Sequence, residues 1–259
     1  MNLNYLESRS FYIIKEADKR FNKIGVLWSM GKDSTAVLYL IRKLFEGEIP
    51  YDVINIDNGI DFPESYRFRD LIKDMWNIKL VIAKSKIKKE ISGFACCGSN
   101  KTEALKEILK KNRYDALIVS IRRDEHGIRA KESYFSKRDA SMRWNYKEPR
   151  LELFGNFIVD NLKEGHYRVH PLLDWSELDV WRYIKREKIP VNPLYFSKDG
   201  YRYRSLGCTH CTVPVRSDAD SIDKIIYELK HTKTEERGGR DQDKEKEYIM
   251  QRLRAMGYM

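Results

Sequence analysis

Val26-Leu27-Trp28-Ser29-Met30-Gly31-Lys32-Asp33-Ser34-Thr35 is the stretch whose reading decides the fold. An apolar run over Lys23–Ser29 ends in a turn at Gly31, and a helical pattern over Ser34–Phe45 starts directly behind it. At such a helix start the backbone N–H groups point outward and the dipole adds about half a positive charge, so phosphate is attracted. Gly31 lets the backbone come close, Ser29 and Ser34 offer hydroxyls, Lys32 adds a point charge, and Asp33 and Thr35 complete the loop. A Walker-type loop requires Gly-Lys-Ser/Thr, and Gly31-Lys32-Asp33-Ser34 does not satisfy it.

Outward from this loop, strand-like and helix-like segments alternate. Tyr51–Asp57 precedes Glu64–Trp76, Lys79–Ala83 precedes Lys101–Lys111, and Ala116–Ile121 is followed later by Arg168–Leu173. Short apolar strands separated by helices imply βαβ units, hence an α/β fold with a doubly wound, mostly parallel sheet. After Pro171 the pattern changes to a helix over Trp175–Lys188, capped by Ser176 or Asp174, then a Tyr/Arg/Gly-rich loop over Tyr195–Cys211. Two more helical stretches follow, Ser221–Lys230 and Lys244–Met256. The expected division is an α/β domain carrying the Ser29–Thr35 loop over residues 1–173 and a helical extension carrying the Cys208-x-x-Cys211 loop over residues 174–259.

The 259 residues carry 49 Lys and Arg against 39 Asp and Glu, a net charge of +10. That excess favours polyanionic partners, although a basic surface is also compatible with plain solvation. No apolar run approaches the ~20 residues that span a bilayer. Met1–Phe21 lacks the uninterrupted apolar centre of a secretory signal, so a cytoplasmic protein without membrane contact is expected.

Two further strand ends carry polar chemistry. Asp57-Asn58-Gly59 ends the second strand, where Asp57 and Gly59 either contact a nucleotide or form a turn. Arg122 and Arg123 follow the strand at Ala116–Val119; they face phosphate or an oxyanion, or belong to a solvated charge run.

The run Ser29–Ser34, Asp57-Asn58-Gly59, Lys101-Thr102-Glu103-Ala104-Leu105 and Arg122-Arg123-Asp124-Glu125 with Arg129-Ala130-Lys131-Glu132 resembles the small subunit of heterodimeric ATP sulfurylase. So do His170-Pro171-Leu172, Trp175–Trp181 and Thr234-Glu235-Glu236-Arg237-Gly238. The resemblance places the chain beside the PAPS reductases in the adenine nucleotide α-hydrolase superfamily. It implies ATP and Mg²⁺ as cofactors and cleavage of ATP between the α and β phosphates. It further implies that Ser29, Gly31, Lys32, Asp33 and Ser34 hold pyrophosphate, that Asp57 sits near the nucleoside, and that Arg122, Arg123 and Arg237 line the site. Lys32, Asp33, Arg122 and Arg123 are then the expected catalytic residues.

The four cysteines depart from that pattern. Cys96-Cys97 and Cys208-x-x-Cys211 are similar to the [4Fe–4S] arrangement of adenylylsulfate reductases, four thiolates being the ligand set of such a cluster. Cys₄ zinc, or free thiols or a redox pair, remain open alternatives. With all four thiols engaged, no nucleophilic cysteine is left for reductase chemistry. An adenylating fold with a cluster resembles the thiolation ATP pyrophosphatases, including those of DNA phosphorothioation. Three expectations follow: sulfur insertion into nucleic acid with a cysteine desulfurase partner, sulfate adenylylation with a GTPase large subunit, or a reductase-like protein lacking the tail cysteine. A homo-oligomer fits each. The stretch Tyr195–Arg204 joins the basic charge in agreeing with a nucleic-acid or other phosphate-rich partner.

Overall fold

The computed structural model describes residues 2–85, 101–125, 129–145, 165–232 and Glu236. Cys96, Cys97, Arg237 and the helical stretch Lys244–Met256 lie outside them.

A helix the alternating pattern did not announce comes first, α1 at Leu3–Arg20. Its charged residues interrupt every apolar run, yet Leu6, Ile13, Ile14 and Ala17 fall on one face at helical spacing and are buried. Ser10 on that face donates to the Pro171 carbonyl at 2.7 Å and accepts from Trp175 Nε1 at 3.0 Å, tying α1 to the far end of the fold.

Strands β1 (Ile24–Leu27), β2 (Asp52–Asp57), β3 (Leu80–Lys84) and β4 (Ala116–Ile118) alternate with α2 (Lys32–Leu44), α3 (Pro63–Met75) and α4 (Glu103–Asn112). β5 (Phe135–Arg138) and β6 (His166–Val169) complete a six-stranded sheet of order β3-β2-β1-β4-β6-β5. All neighbours run parallel except β5 against β6. β1, β4 and β6 are buried along their whole length, as strands covered on both faces must be. Gly25 makes the centre possible: a Cβ there would stand 2.7 Å from Ile54 Cδ1 and 3.0 Å from Leu117 Cδ2, so the adjoining strands' side chains fill its place.

Because β1 lies between β2 and β4, the chain leaves the sheet centre in both directions. The crevice at the carboxyl ends of β1 and β4 is the switch point at which open α/β sheets bind ligands. Above it comes α5 (Glu177–Glu187), whose N-cap is Ser176. The Ser176 hydroxyl accepts from Asp179 N at 3.1 Å while the Asp179 carboxylate accepts from Ser176 N at 3.1 Å, a reciprocal capping box. α5 packs on α2 and on α6 (Ile222–His231), and a two-stranded ribbon of β7 (Tyr201–Arg202) and β8 (Val215–Arg216) lies between α5 and α6 in sequence. Among the described residues, no helix is long and apolar enough to cross a membrane.

Candidate nucleotide site

The loop after β1 is shaped by its neighbours before any ligand arrives. Trp28 N donates to the Ile54 carbonyl at 2.9 Å and Asn55 Nδ2 donates to the Trp28 carbonyl at 2.9 Å, which fixes the strand end. Met30 then turns into the left-handed region, φ 62°, a strained conformation for a residue with a long side chain. Gly31 caps α2, which starts at Lys32, two residues earlier than the helical pattern indicates. Thr35 serves the loop from behind: its hydroxyl accepts from Trp28 Nε1 at 3.1 Å and donates to the Gly31 carbonyl at 2.9 Å. Ser29 and Ser34 face each other with hydroxyl oxygens 3.3 Å apart.

These residues form one wall of a cleft of about 160 Å³ at the switch point. Ser120 and Ile121 from the end of β4, Ser65 from α3, and Lys101 with Gly207 form the others. Tyr195 closes one side. It arrives on a short 3₁₀ turn, Pro193–Tyr195, stacks edge-on against Trp181 at 5.4 Å, and its hydroxyl accepts from Lys32 N at 2.9 Å. Burial, the largest cause, and the neighbouring Asp33 push its hydroxyl up to about 12, so it stays protonated.

Charge is concentrated at the loop. Lys32 is 1% exposed and Arg122 0%. Lys32 Nζ pairs with Asp33 at 3.0 Å and with Glu236; Arg122 pairs with Asp33, with Glu236 and, at 2.9 Å, with Asp124. Burial pulls the Lys32 ammonium down, but Asp33 and then Glu236 outweigh it and its pKa is raised. The converse holds for Glu236: burial alone would raise it, and Arg122 with Lys32 holds the carboxylate well below its usual range. Asp124 also accepts from Glu177 N at 2.8 Å, linking Arg122 to the first turn of α5.

The structure therefore brings Ser29, Gly31, Lys32, Asp33 and Ser34 together on the cleft wall, with Thr35 behind them and Arg122 buried outside the lining, joined to it through Asp33 and Glu236. Three expected residues go elsewhere. Asp57 is occupied by a turn, accepting from Gly59 N and from the Tyr66 hydroxyl at 2.9 Å each, with Arg69 3.6 Å away; neither Asp57 nor Gly59 lines the cleft. Arg123 points away from Arg122 to pair with Asp174 and lie over the Tyr134 ring at 5.6 Å. β4 ends at Ile118, and Arg123 opens a 3₁₀ turn over Arg123–Glu125 while Arg122 precedes it, so the two arginines reach different partners.

The Tyr195–Arg204 stretch is likewise not a basic surface. Arg202 and Arg204 are buried, paired with Glu228 at 2.7 Å and Glu177 at 2.8 Å. Tyr195 packs on Trp181 and Tyr203 on Phe62, ring centroids 4.9 Å apart, and of the tyrosines and arginines in the stretch only Tyr201 is more than half exposed. Cys208 and Cys211 are both buried next to Gly207 of the cleft wall, in a turn that Cys211 N closes by donating to the Cys208 carbonyl at 3.2 Å. Burial is the largest cause pushing the Cys208 thiol up.

Tyr195 and Glu236 were not legible as site residues. Tyr195 sits in a turn signalled by Asn192-Pro193, but nothing local shows it reaching Lys32; Glu236 stood within a family motif next to Arg237, the residue that drew attention.

Residues 23–214 match the model of the phosphoadenosine phosphosulfate reductase domain. The chain belongs to that family. It is 36% identical over 295 residues to sulfate adenylyltransferase subunit 2 of Buchnera aphidicola subsp. Acyrthosiphon pisum, covering 99% of this chain and 97% of that one. It is 35% identical over 299 residues to the protein of the same name from Pseudomonas savastanoi pv. phaseolicola, covering 99% and 98%. Among solved structures, Candida glabrata FMN adenylyltransferase with ATP superposes with a TM-score of 0.59 at 19% identity, over 82% of this chain and 63% of that one. The PAPS reductase of Candida auris in a phosphate complex gives 0.55 at 20% identity, over 82% and 96%. These two likenesses bear on the fold alone.

Proposed function

We propose that the chain adenylylates sulfate, acting as the catalytic small subunit of a sulfate adenylyltransferase. The observation that carries this is the buried Lys32–Arg122 pair at the N-terminus of α2, in a chain similar over its full length to sulfate adenylyltransferase subunit 2. A sulfate oxygen attacks the α-phosphorus of ATP, the bond from that phosphorus to the bridging α–β oxygen breaks, and pyrophosphate leaves. Lys32 and the first turn of α2 receive the charge that develops on pyrophosphate, and Arg122 adds a second cation. Preformed charge of this kind stabilises phosphoryl-type transfer without a side-chain acid or base.

Among the described residues, no three His, Cys, Asp or Glu side chains form a metal cage. Mg²⁺ ordinarily takes one or two carboxylates plus phosphate oxygens, and Asp33 and Asp61 on the cleft wall are oxygen donors of that kind. When bound, Mg²⁺ would neutralise phosphate charge.

Full-length similarity ranks sulfate above nucleic acid as the acceptor, reversing the order in which the sequence placed them. The test is exchange of labelled pyrophosphate into ATP with a GTPase large subunit present. Exchange that requires sulfate supports the proposal; exchange that ignores sulfate but requires DNA refutes it.

A second reading, sulfur insertion with a [4Fe–4S] cluster and a cysteine desulfurase, is favoured by one observation: Cys208 and Cys211 are both buried in one turn beside Gly207 on the cleft wall, which Lys101 also lines. Cys97 precedes that lysine by four residues in sequence. Anaerobically purified protein should then contain iron, and Cys208→Ser should lose it; iron retained at full stoichiometry sinks the four-thiolate set.

A further inference from the structure

We propose that Glu236 is an internal stand-in for phosphate, holding the Lys32–Arg122 cation pair until a pyrophosphate-bearing ligand replaces it. The proposal rests on the reading of Ser29–Thr35 as the pyrophosphate loop and extends it to the control of that loop.

The geometry is that of a bound oxyanion. Lys32 Nζ bonds one carboxylate oxygen of Glu236, and Arg122 bonds the other. Two cations each gripping a different oxygen of one planar anion is how such groups hold phosphate. Glu236 lines the same cleft as Gly31, Asp33 and Ser34, and its side chain is only 8% exposed. It comes from 204 residues beyond Lys32, so nothing in the local chain forces it there.

Charge balance makes occupancy exclusive. With Asp33, Asp124 and Glu236 in place, the two buried cations already face three carboxylates. A phosphate entering beside them adds negative charge at contact distance where water screens little, and repulsion is strong. With Glu236 withdrawn, Lys32 and Arg122 keep Asp33 and Asp124 but each loses a direct bond to an anionic oxygen, which an incoming phosphate can restore. Glu236 and pyrophosphate therefore compete for one pair of cations, and each weakens the other's hold by the same factor. The carboxylate also keeps Lys32 and Arg122 in place while no ligand is bound, so the pocket stays shaped for an anion.

The opposite role is equally concrete. A Glu236 that stays in place beside bound nucleotide would orient Lys32 and Arg122, and its loss would weaken binding. The two roles differ in sign.

The experiment is equilibrium binding of inorganic pyrophosphate and of α,β-methylene ATP to the full chain at fixed ionic strength. Wild type, Glu236→Gln, Glu236→Asp and Lys32→Ala are compared. Glu236→Gln removes the competing charge and should bind pyrophosphate at least about tenfold tighter, about 1.4 kcal/mol. Glu236→Asp keeps the charge but is one methylene too short to reach both cations, and should bind tighter than wild type by a smaller factor. It carries the test if Glu236→Gln does not fold. Binding unchanged or weaker in both Glu236 variants, with Lys32→Ala still impaired, overturns the stand-in and leaves the loop reading intact. Lys32→Ala binding as well as wild type overturns the loop reading itself. Thermal melting gives an independent measure: pyrophosphate should raise the Tm of Glu236→Gln by more than that of wild type, and an equal or smaller rise counts against the proposal.

Discussion

Gly31→Ala separates a glycine needed by the backbone from one needed by a ligand. Gly31 has φ −81° and ψ 164°, extended values open to any residue, so alanine fits the main chain without strain. The added Cβ would stand 3.3 Å from the Tyr195 hydroxyl and 3.4 Å from Ser29 Oγ, on the wall of the cleft. Tyr195 must give by a few tenths of an ångström, straining its 2.9 Å bond from Lys32 N. One hydrogen bond of this kind contributes about 1 kcal/mol net, so the folded state should lose no more than that. For a chain of this size the Tm should fall by about 2–4 °C. Nucleotide binding should suffer more. A phosphate oxygen needs to approach a backbone N–H to about 2.9 Å, and a methyl group on the wall holds it off. Losing one hydrogen bond to a charged group costs about 1.5–3 kcal/mol, or about 10- to 150-fold in affinity. Titration with α,β-methylene ATP and differential scanning fluorimetry on the same samples read both effects. A Gly31→Ala chain that melts several degrees lower yet binds nucleotide as wild type does would show that Gly31 serves folding alone, and the close-approach reasoning would fail.

Ser176→Ala removes the N-cap of α5 and should cost about 1 kcal/mol, a Tm drop of about 2–4 °C, with pyrophosphate affinity unchanged; a loss of affinity without a loss of stability would contradict the capping role. His166 lies on β6 opposite Arg138 and two residues from Arg168; burial first, then those two arginines, pushes its pKa well below the ordinary 6.5. The folded state thus keeps it neutral while the unfolded chain protonates it below pH 6.5, so its share of stability is full above that pH and is lost as pH falls. The loss runs at up to about 1.4 kcal/mol per pH unit. Denaturant unfolding from pH 7 to 5 should therefore fall less steeply for His166→Gln than for wild type, and parallel curves would rule the effect out.

Much of the architecture was legible because it is written at short range. Apolar runs bounded by turn residues mark β1, β2 and β4, and the step from strand to Gly31 to helix marks the phosphate loop within ten residues. α1 was missed because its apolar positions are spaced for a helix face among charges, and β7 with β8 because each is two residues long. The arginines of Tyr195–Arg204 looked like surface charge because composition does not show whether a charge has a buried partner; Glu228 and Glu177 supply it.

By itself, then, the sequence determined the α/β alternation, the loop with its helix start and the basic residues that follow β4, since each depends on neighbours a few residues apart. Only the tertiary structure decided the sheet order β3-β2-β1-β4-β6-β5, the divergence of Arg123 from Arg122, the withdrawal of Asp57 into a turn, and the arrival of Tyr195 and Glu236 at Lys32. Those contacts join residues up to 204 positions apart, and they are selected by packing and charge pairing across the whole fold, which no local period records.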